Sequence, residues 1–278
     1  MNIWSNTDFP YQCLLDYRRT TMFHTAIRAV VKPGDIVIDA GAGSGILSFF
    51  AAQAGAKKVY AIEIDSFLAK CLKNSIQSNN LSQIIEVIND DIHTSILPDS
   101  ADVLICEMME TGLMDEMQVT ALSSLREKSI ITERTRLIPI KYETFIELGF
   151  CDFTYYGYKL FTPKHDWPRS RGSGWLPTSF FPHSSSYRIK NFDFRETIER
   201  RVSATLDIKI KSDGLVNAIR ISALAHLANG IVLGATNTLN GDKVLSIDEI
   251  PVLTEQIVHT HVSYNMGGGL MSFQVNLS

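Results

Sequence analysis

Cysteine is scarce and unpatterned in this chain: Cys13, Cys71, Cys106 and Cys151 stand far apart, with no CxxC pair among them. That spacing argues against a structural zinc site or a disulfide framework and fits a reducing compartment. No apolar run reaches the length of a membrane span, and the opening MNIWSNTDFP lacks the charged and apolar regions of a signal peptide. Positive charge is not in excess; a net charge of −4 leaves no overall basic field to steer the protein to nucleic acid or a membrane. No internal repeat is present. These absences predict a soluble, cytoplasmic protein with no membrane partner and no metal. What the chain does have is size, since 278 residues can bury a large core in one or two domains.

The first half alternates two periodicities. Residues 12–31 carry Leu14, Leu15, Met22, Phe23, Ile27 and Val30 at helical spacing, ending before Lys32-Pro33-Gly34. Short apolar runs at 35–39, 58–63, 84–88 and 102–106 read as strands, with helices expected over 46–54 and 66–78. The runs VIDA, VYAIE and VLICE are apolar nearly throughout, as strands covered on both faces are. The pattern predicts βαβ units around a mainly parallel, Rossmann-like sheet, a domain of residues 1–140. Beyond Pro139, residues 141–150, 206–210, 217–227, 230–235 and 256–262 read as short strands, with turn signals at Asn229-Gly230 and Asn240-Gly241. Residues 141–278 are therefore expected to form a smaller antiparallel, barrel-like domain. Thr162–Ser186, rich in Pro, Ser, Gly and aromatics, is expected to be a long loop or arm.

The turn Asp39-Ala40-Gly41-Ala42-Gly43-Ser44-Gly45 lies between a strand and a helix, where glycines let a ligand approach the backbone. Glu63 ends the next strand, 18 residues after Gly45, where a carboxylate can accept two ribose hydroxyls. Asp39 would repel a pyrophosphate but suits a ligand whose near end carries an ammonium. The spacing G-x-G-x-G also differs from the dinucleotide fingerprint. S-adenosyl-L-methionine, a nucleoside with a cationic amino-acid tail and a sulfonium, meets these conditions. A tight turn without a ligand and a nicotinamide dinucleotide are the competing readings. Ile46 opens the helix after the turn and joins Gly41, Gly43 and Gly45 as a candidate cofactor contact. After the third strand, Asp91 can accept from an adenine amine while Ile92 packs on the ring, although a plain turn with exposed acids competes.

At this point the residues match a family. GAGSGILSFFAAQAGAKKVYAIE, Gly41 to Glu63, closely resembles the first motifs of the protein arginine methyltransferases, within the class I S-adenosylmethionine-dependent enzymes. Asp16-Tyr17-Arg18-Arg19-Thr20 is similar to that family's D-x-x-R-T and continues through Phe23, Ala26 and Ile27 in the family register. By this resemblance Arg19 pairs with the cofactor carboxylate, for which a guanidinium fork is well shaped. CEMMETGLMDE, four acids in eleven residues, resembles the family's E-x-M-x-x-x-L-x-x-E loop at Glu107, Met109, Leu113 and Glu116. The likeness covers roughly residues 12–140. Three departures accompany it. The family's upstream aromatic motif has almost no room in the 15 residues ahead of Asp16, and the family's Thr-His-Trp loop is not found, Thr236-Asn237-Thr238 being the nearest stretch in its place. Met108, Glu110, Thr111 and Asp115 occupy the aromatic and glycine positions of the acidic loop.

Methyl transfer from a sulfonium is an in-line displacement, so a protein supplies chiefly positioning and electrostatics. A guanidinium is a poor nucleophile, its lone pairs delocalised and its pKa above about 12. Glu107 and Glu116 gripping it would draw the charge to one side and aim the other nitrogen at the methyl group. Glu110 is expected to face water, and Asp115 to cap or begin a helix. Cys106 reads as a core residue, His24 as a satisfied structural histidine, and His259 with His261 as a surface pair. The expected acceptor is a cationic nitrogen, a protein arginine first. Alternatives are a small-molecule amine, guanidine or hydroxyl, an RNA (disfavoured by the acidic loop), and a non-catalytic binding or assembly protein that keeps the fold. The family dimerises through an inserted arm, so a homodimer is implied, with Thr162–Ser186 the arm by position.

Overall fold

The computed structural model describes residues 4–97, 100–168 and 180–278. A five-stranded parallel sheet forms from β1 (Ile36–Ala40), β2 (Lys58–Ile62), β3 (Ile85–Ile88), β4 (Val103–Cys106) and β5 (Arg136–Ile138), in the order β3-β2-β1-β4-β5. Its register runs Val37 beside Val59 on one side and Val103 on the other. β4 is buried at every position and β1 and β2 at all but their first, which is why they read as unbroken apolar runs. The chain leaves β1 toward β2 on one side and returns as β4 on the other. The sheet order therefore reverses at the carboxyl ends of β1 and β4, where open α/β sheets form their ligand crevice.

Five helices surround this sheet: α1 (Phe9–Leu15), α2 (Tyr17–Val30), α3 (Ile46–Gln53), α4 (Ser66–Ser78) and α5 (Gln118–Glu127). The single helix expected over 12–31 is two. Asp16 breaks it, because its carboxylate accepts from the Arg19 backbone N–H and caps α2. Asp65 caps α4 in the same way, accepting from Phe67 and Leu68.

From Lys141 onward the strands are antiparallel, and the fold is barrel-like. Lys141–Cys151 alternates buried and half-buried residues and pairs with Gly214–Ala228, which pairs in turn with Asp242–Val252. Arg201–Lys209, Ile257–Asn265 and Gln274–Leu277 make a second sheet. The stretch Thr162–Ser186 is not all loop: Lys164–Asp166 pairs with Asp242–Val252, and Phe180–Pro182 pairs with Lys141–Cys151. Residues 169–179 lie outside the described residues. The signal Asn240-Gly241 is not a hairpin turn but the end of a loop that enters the strand at Asp242. No helix among the described residues is long and apolar enough to cross a membrane.

Candidate functional site

The glycine turn has the backbone its sequence requires. Gly41, Gly43 and Gly45 have φ of +76°, +53° and +83°, a region costly for any residue with a Cβ. A Cβ on Gly45 would stand 2.1 Å from Leu72 Cδ1, and one on Gly41 2.9 Å from Met108 Cγ; one on Gly43 meets open space. The turn is thus packed against α4 and the acidic loop but open at its centre. Ile46 begins α3 just behind it.

Two acids close on this turn. Glu63 accepts from the backbone N–H of Gly43 at 2.7 Å and of Asp65 at 2.8 Å, and burial raises its pKa. Asp39 is buried and accepts from Ser48 Oγ at 2.6 Å; burial, with Glu107 and Glu63 nearby, pushes its pKa up to about 6. At the end of β3, Asn89 donates to the carbonyls of Glu63 and Ile64, tying the two strand ends together. Asp91 Oδ1 accepts from the backbone N–H of His93 at 2.9 Å and lies 2.7 Å from His93 Nδ1, while Ile92 is buried in the core. His93 also contacts Thr120 Oγ1 at 2.9 Å, so it braces this corner against α5, a role no sequence pattern announced.

Arg19 and Glu107 meet directly. The guanidinium Nη2 donates to Glu107 Oε2, and both side chains are largely buried. Burial alone would lower the Arg19 pKa, but the adjacent Glu107 carboxylate holds it above its ordinary value. Two of its nitrogens, Nε and Nη1, are buried without a partner. Unpaired buried donors are costly, and these two N–H-bearing nitrogens flank Cδ and point in different directions, so each can donate a single charge-assisted hydrogen bond to a carboxylate oxygen while Nη2 stays on Glu107. With Asp39 for an ammonium, Glu63 for hydroxyls and the open backbone at Gly43, the donor set fits a nucleoside carrying an amino-acid tail.

The acidic loop leaves β4 and turns through Gly112 (φ +81°) and Leu113 (φ +57°). Its four acids are not equivalent. Glu107 faces Arg19. Glu110 does not face water: its Oε1 accepts from the backbone N–H of Met114 at 2.5 Å and Asp115 at 2.7 Å, and its Oε2 pairs with the buried Lys243. Asp115 does not begin a helix, since α5 starts at Gln118; its Oδ2 lies 2.8 Å from the same Lys243 Nζ. Both expectations fail for one reason, a lysine 128 residues further along the chain from Asp115. Glu116 has no hydrogen-bond or ionic partner among the described residues, and burial beside Glu107 and Glu110 pushes its pKa up to about 8.

Barrel residues complete the setting. Tyr142 donates its hydroxyl to the Glu110 carbonyl at 2.8 Å, and Thr111 Oγ1 donates to the Gly241 carbonyl at 2.6 Å. Asp16 Oδ2 accepts from the N–H and hydroxyl of Thr238 at 2.8 and 2.9 Å, so the Thr236-Asn237-Thr238 stretch sits against the start of α2. Tyr142, Lys243 and Thr238 carry no local signal of this role.

The remaining expectations separate. Cys106 is buried at the end of β4, and burial pushes its thiol pKa up. His259 and His261 pair with Asp207 Oδ1 and Thr205 Oγ1 on an exposed strand face. His24 packs on Phe50 with ring centroids 4.4 Å apart, but its Nε2 is buried without a partner, so it is not a satisfied histidine.

Comparison with known proteins agrees with this layout. Residues 16–133 match the family model "Ribosomal protein L11 methyltransferase (PrmA)". A chain of the Trypanosoma brucei PRMT1 enzyme–prozyme heterotetrameric complex with AdoHcy superposes with a TM-score of 0.73 over 95% of each chain, at 18% identity, a likeness of fold. The histone-arginine methyltransferase CARMER of Drosophila erecta is 48% identical over 103 residues, which are 36% of this chain and 19% of that protein. Uncharacterized protein MJ1452 of Methanocaldococcus jannaschii is 31% identical over 96% of this chain and 95% of its own length. An uncharacterized protein of Methanothermobacter thermautotrophicus is 30% identical over 98% of each. The chain belongs with these two archaeal proteins to one full-length family, and over part of its length it is similar to class I S-adenosylmethionine-dependent methyltransferases of the arginine-methyltransferase type.

Proposed function

We propose that this protein methylates a cationic nitrogen, a protein arginine side chain first, with residues 1–140 holding the cofactor and 141–278 facing the acceptor. The observation that carries this reading is Glu116: a partly buried acid with no partner among the described residues, beside the Glu107–Arg19 pair, at the crevice end of the sheet. When bound, S-adenosyl-L-methionine supplies a methyl group on a sulfonium. Arg19 would hold its carboxylate by charge and a hydrogen bond from an unpaired nitrogen, and Asp39 its ammonium. Glu63 would take the ribose hydroxyls, Asp91 and Ile92 the adenine, and Gly41, Gly43, Gly45 and Ile46 the close backbone approach.

The acceptor chemistry belongs to Glu107 and Glu116. Without a cation beside it, Glu116 keeps its proton at neutral pH, because burial first and then the negative charge of Glu107 disfavour its ionised form. An arriving guanidinium reverses that balance and is gripped by two carboxylates. Its positive charge is then drawn toward them, leaving the opposite nitrogen with more of its lone pair. That nitrogen sheds a proton on methylation, so the product keeps a single positive charge for the two carboxylates to hold.

Labelled cofactor incubated with the protein and a cell lysate, followed by size fractionation, tests the acceptor. Label on arginine in the protein fraction is expected. Label only in small molecules would transfer the reading to a small-molecule acceptor, and calorimetry showing no cofactor binding would favour an assembly role. Glu107→Gln and Glu116→Gln are each expected to lower turnover about 100-fold, the scale of losing one charge-stabilising group. A homodimer is also proposed. The T. brucei neighbour comes from an oligomeric complex, and the exposed Tyr156 and Phe161 beside the hairpin Thr154–Lys159 offer apolar surface for a contact. Sedimentation analysis reads that state directly.

A further inference from the structure

Lys243 sits on the barrel strand Asp242–Val252 with only 1% of its side chain exposed. A lysine so buried is rare unless its charge is paired. Its Nζ faces both Glu110 and Asp115, the two acids that lie between Glu107 and Glu116 in the loop. Glu110 in turn accepts from two backbone N–H groups of that loop, at Met114 and Asp115. One ammonium therefore holds both the side chains and, through Glu110, the backbone that leads into Glu116. Thr111 to Gly241 and Tyr142 to Glu110 fasten the same loop to the same side of the barrel.

The charge count gives this contact a chemical consequence. The loop brings four acids to the crevice. Arg19 faces Glu107, and Lys243 faces Glu110 and Asp115, so Glu116 is the acid without a cationic partner among the described residues. The titratable groups acting on Glu116 are Glu107, Glu110 and Asp115 of its own loop, Arg19 of α2, Cys13 of α1, Cys106 of β4 and Tyr142 of the barrel. Those acting on Lys243 are Glu110, Asp115 and His165. Without the lysine, two uncompensated acids would add their repulsion to that of Glu107.

We infer that Lys243 is a positioning residue for the acceptor site: its single positive charge offsets part of the negative charge of Glu110 and Asp115 and it fixes the loop, so that Glu116, beside Glu107, is the loop acid left to attract a cation. The inference rests on the reading of Glu107 and Glu116 as the acceptor pair. It assigns opposite electrostatic effects to the lysine and to its two partners, which a merely structural contact would not produce.

The test follows the Glu116 carboxyl by NMR titration of glutamate-labelled protein, which needs no turnover, alongside the pH profile of methylation. Lys243→Met is expected to move the Glu116 titration up by about one pH unit, shift the rise in activity to the same higher pH, and lower turnover about 100-fold through loop displacement. Glu110→Gln with Asp115→Asn, leaving the lysine unpaired, is expected to move the titration down. Combining all three substitutions should bring it back toward the wild-type position. An unchanged titration in folded Lys243→Met protein overturns the inference, as does a triple variant that titrates like Lys243→Met. If Lys243→Met does not fold, the Glu110→Gln, Asp115→Asn protein decides, and no downward shift in it overturns the inference. If the titrations move as stated while no lysate component is methylated, the positioning role stands and the methyl-transfer reading falls.

Discussion

Glu116 and Gly45 show what single residues contribute to this site. The free carboxyl of Glu116 titrates near 4.5 and the folded one at about 8. Between those values the folded chain keeps a proton that the unfolded chain has released, so stability falls as pH rises through that window. Asp39, raised to about 6, acts in the same sense over a narrower range. Glu116→Gln removes the larger effect, and thermal melts at about pH 5 and about pH 9 should show a smaller drop in the variant than in wild type. Parallel drops would mean that Glu116 is not held protonated. The glycines separate stability from binding. Gly45→Ala combines a left-handed backbone with a Cβ driven into Leu72, an expected loss of about 2–4 kcal/mol in denaturant unfolding. Gly43→Ala shares only the backbone cost, about 1–2 kcal/mol, because its Cβ meets open space. On the proposal that Gly43 meets the cofactor, calorimetry should find the larger loss of cofactor affinity in Gly43→Ala.

At the scale of elements, the start of α2 is the point where the two halves depend on one carboxylate. Asp16 caps the helix that carries Arg19 and receives both donors of Thr238. Asp16→Ala loses the cap, about 1 kcal/mol, and strands buried donors on Thr238, about 1–3 kcal/mol more. Thr238→Val keeps the cap and is expected to lose less; equal losses in denaturant midpoints would place the cost elsewhere. The sequence made β1 to β4 legible because β1, β2 and β4 are nearly continuous apolar runs and β1, β2 and β3 are joined by short helical steps through α3 and α4, whereas the three-residue β5 (Arg136–Ile138) gave no such run and was not legible. The glycine turn, Arg19 and the Glu107/Glu116 spacing were legible for the same reason, being local patterns. Strands such as Tyr187–Asp193 and Asp242–Val252 were not, since their pairing partners lie far away in the chain. The roles of Glu110 and Asp115 were hidden in the same way. In Asn-Gly-Asp-Lys, Lys243 has the look of a solvated turn lysine, and only the barrel's closure against the loop buries it.

For the whole molecule, the contacts around the acidic loop imply that cofactor binding and barrel stability are coupled. The loop belongs to the parallel sheet through β4, yet its fastenings are on the barrel: Lys243, Gly241, Tyr142, and the N–H groups of Gly267 and Gly269 donating to Leu113 and Met114. Arg19 is joined to the same loop through Glu107, and its helix to the barrel through Asp16. A ligand whose carboxylate pairs with Arg19 therefore stabilises a network that neither half completes alone. Unfolding is expected to be one cooperative transition, and S-adenosyl-L-methionine at about 100 times its Kd should raise the stability of that whole transition by about 2.7 kcal/mol. Scanning calorimetry with and without the cofactor checks this. Two resolved transitions, of which only one moved with ligand, would show that the halves unfold separately and that the loop's barrel contacts do not carry the coupling.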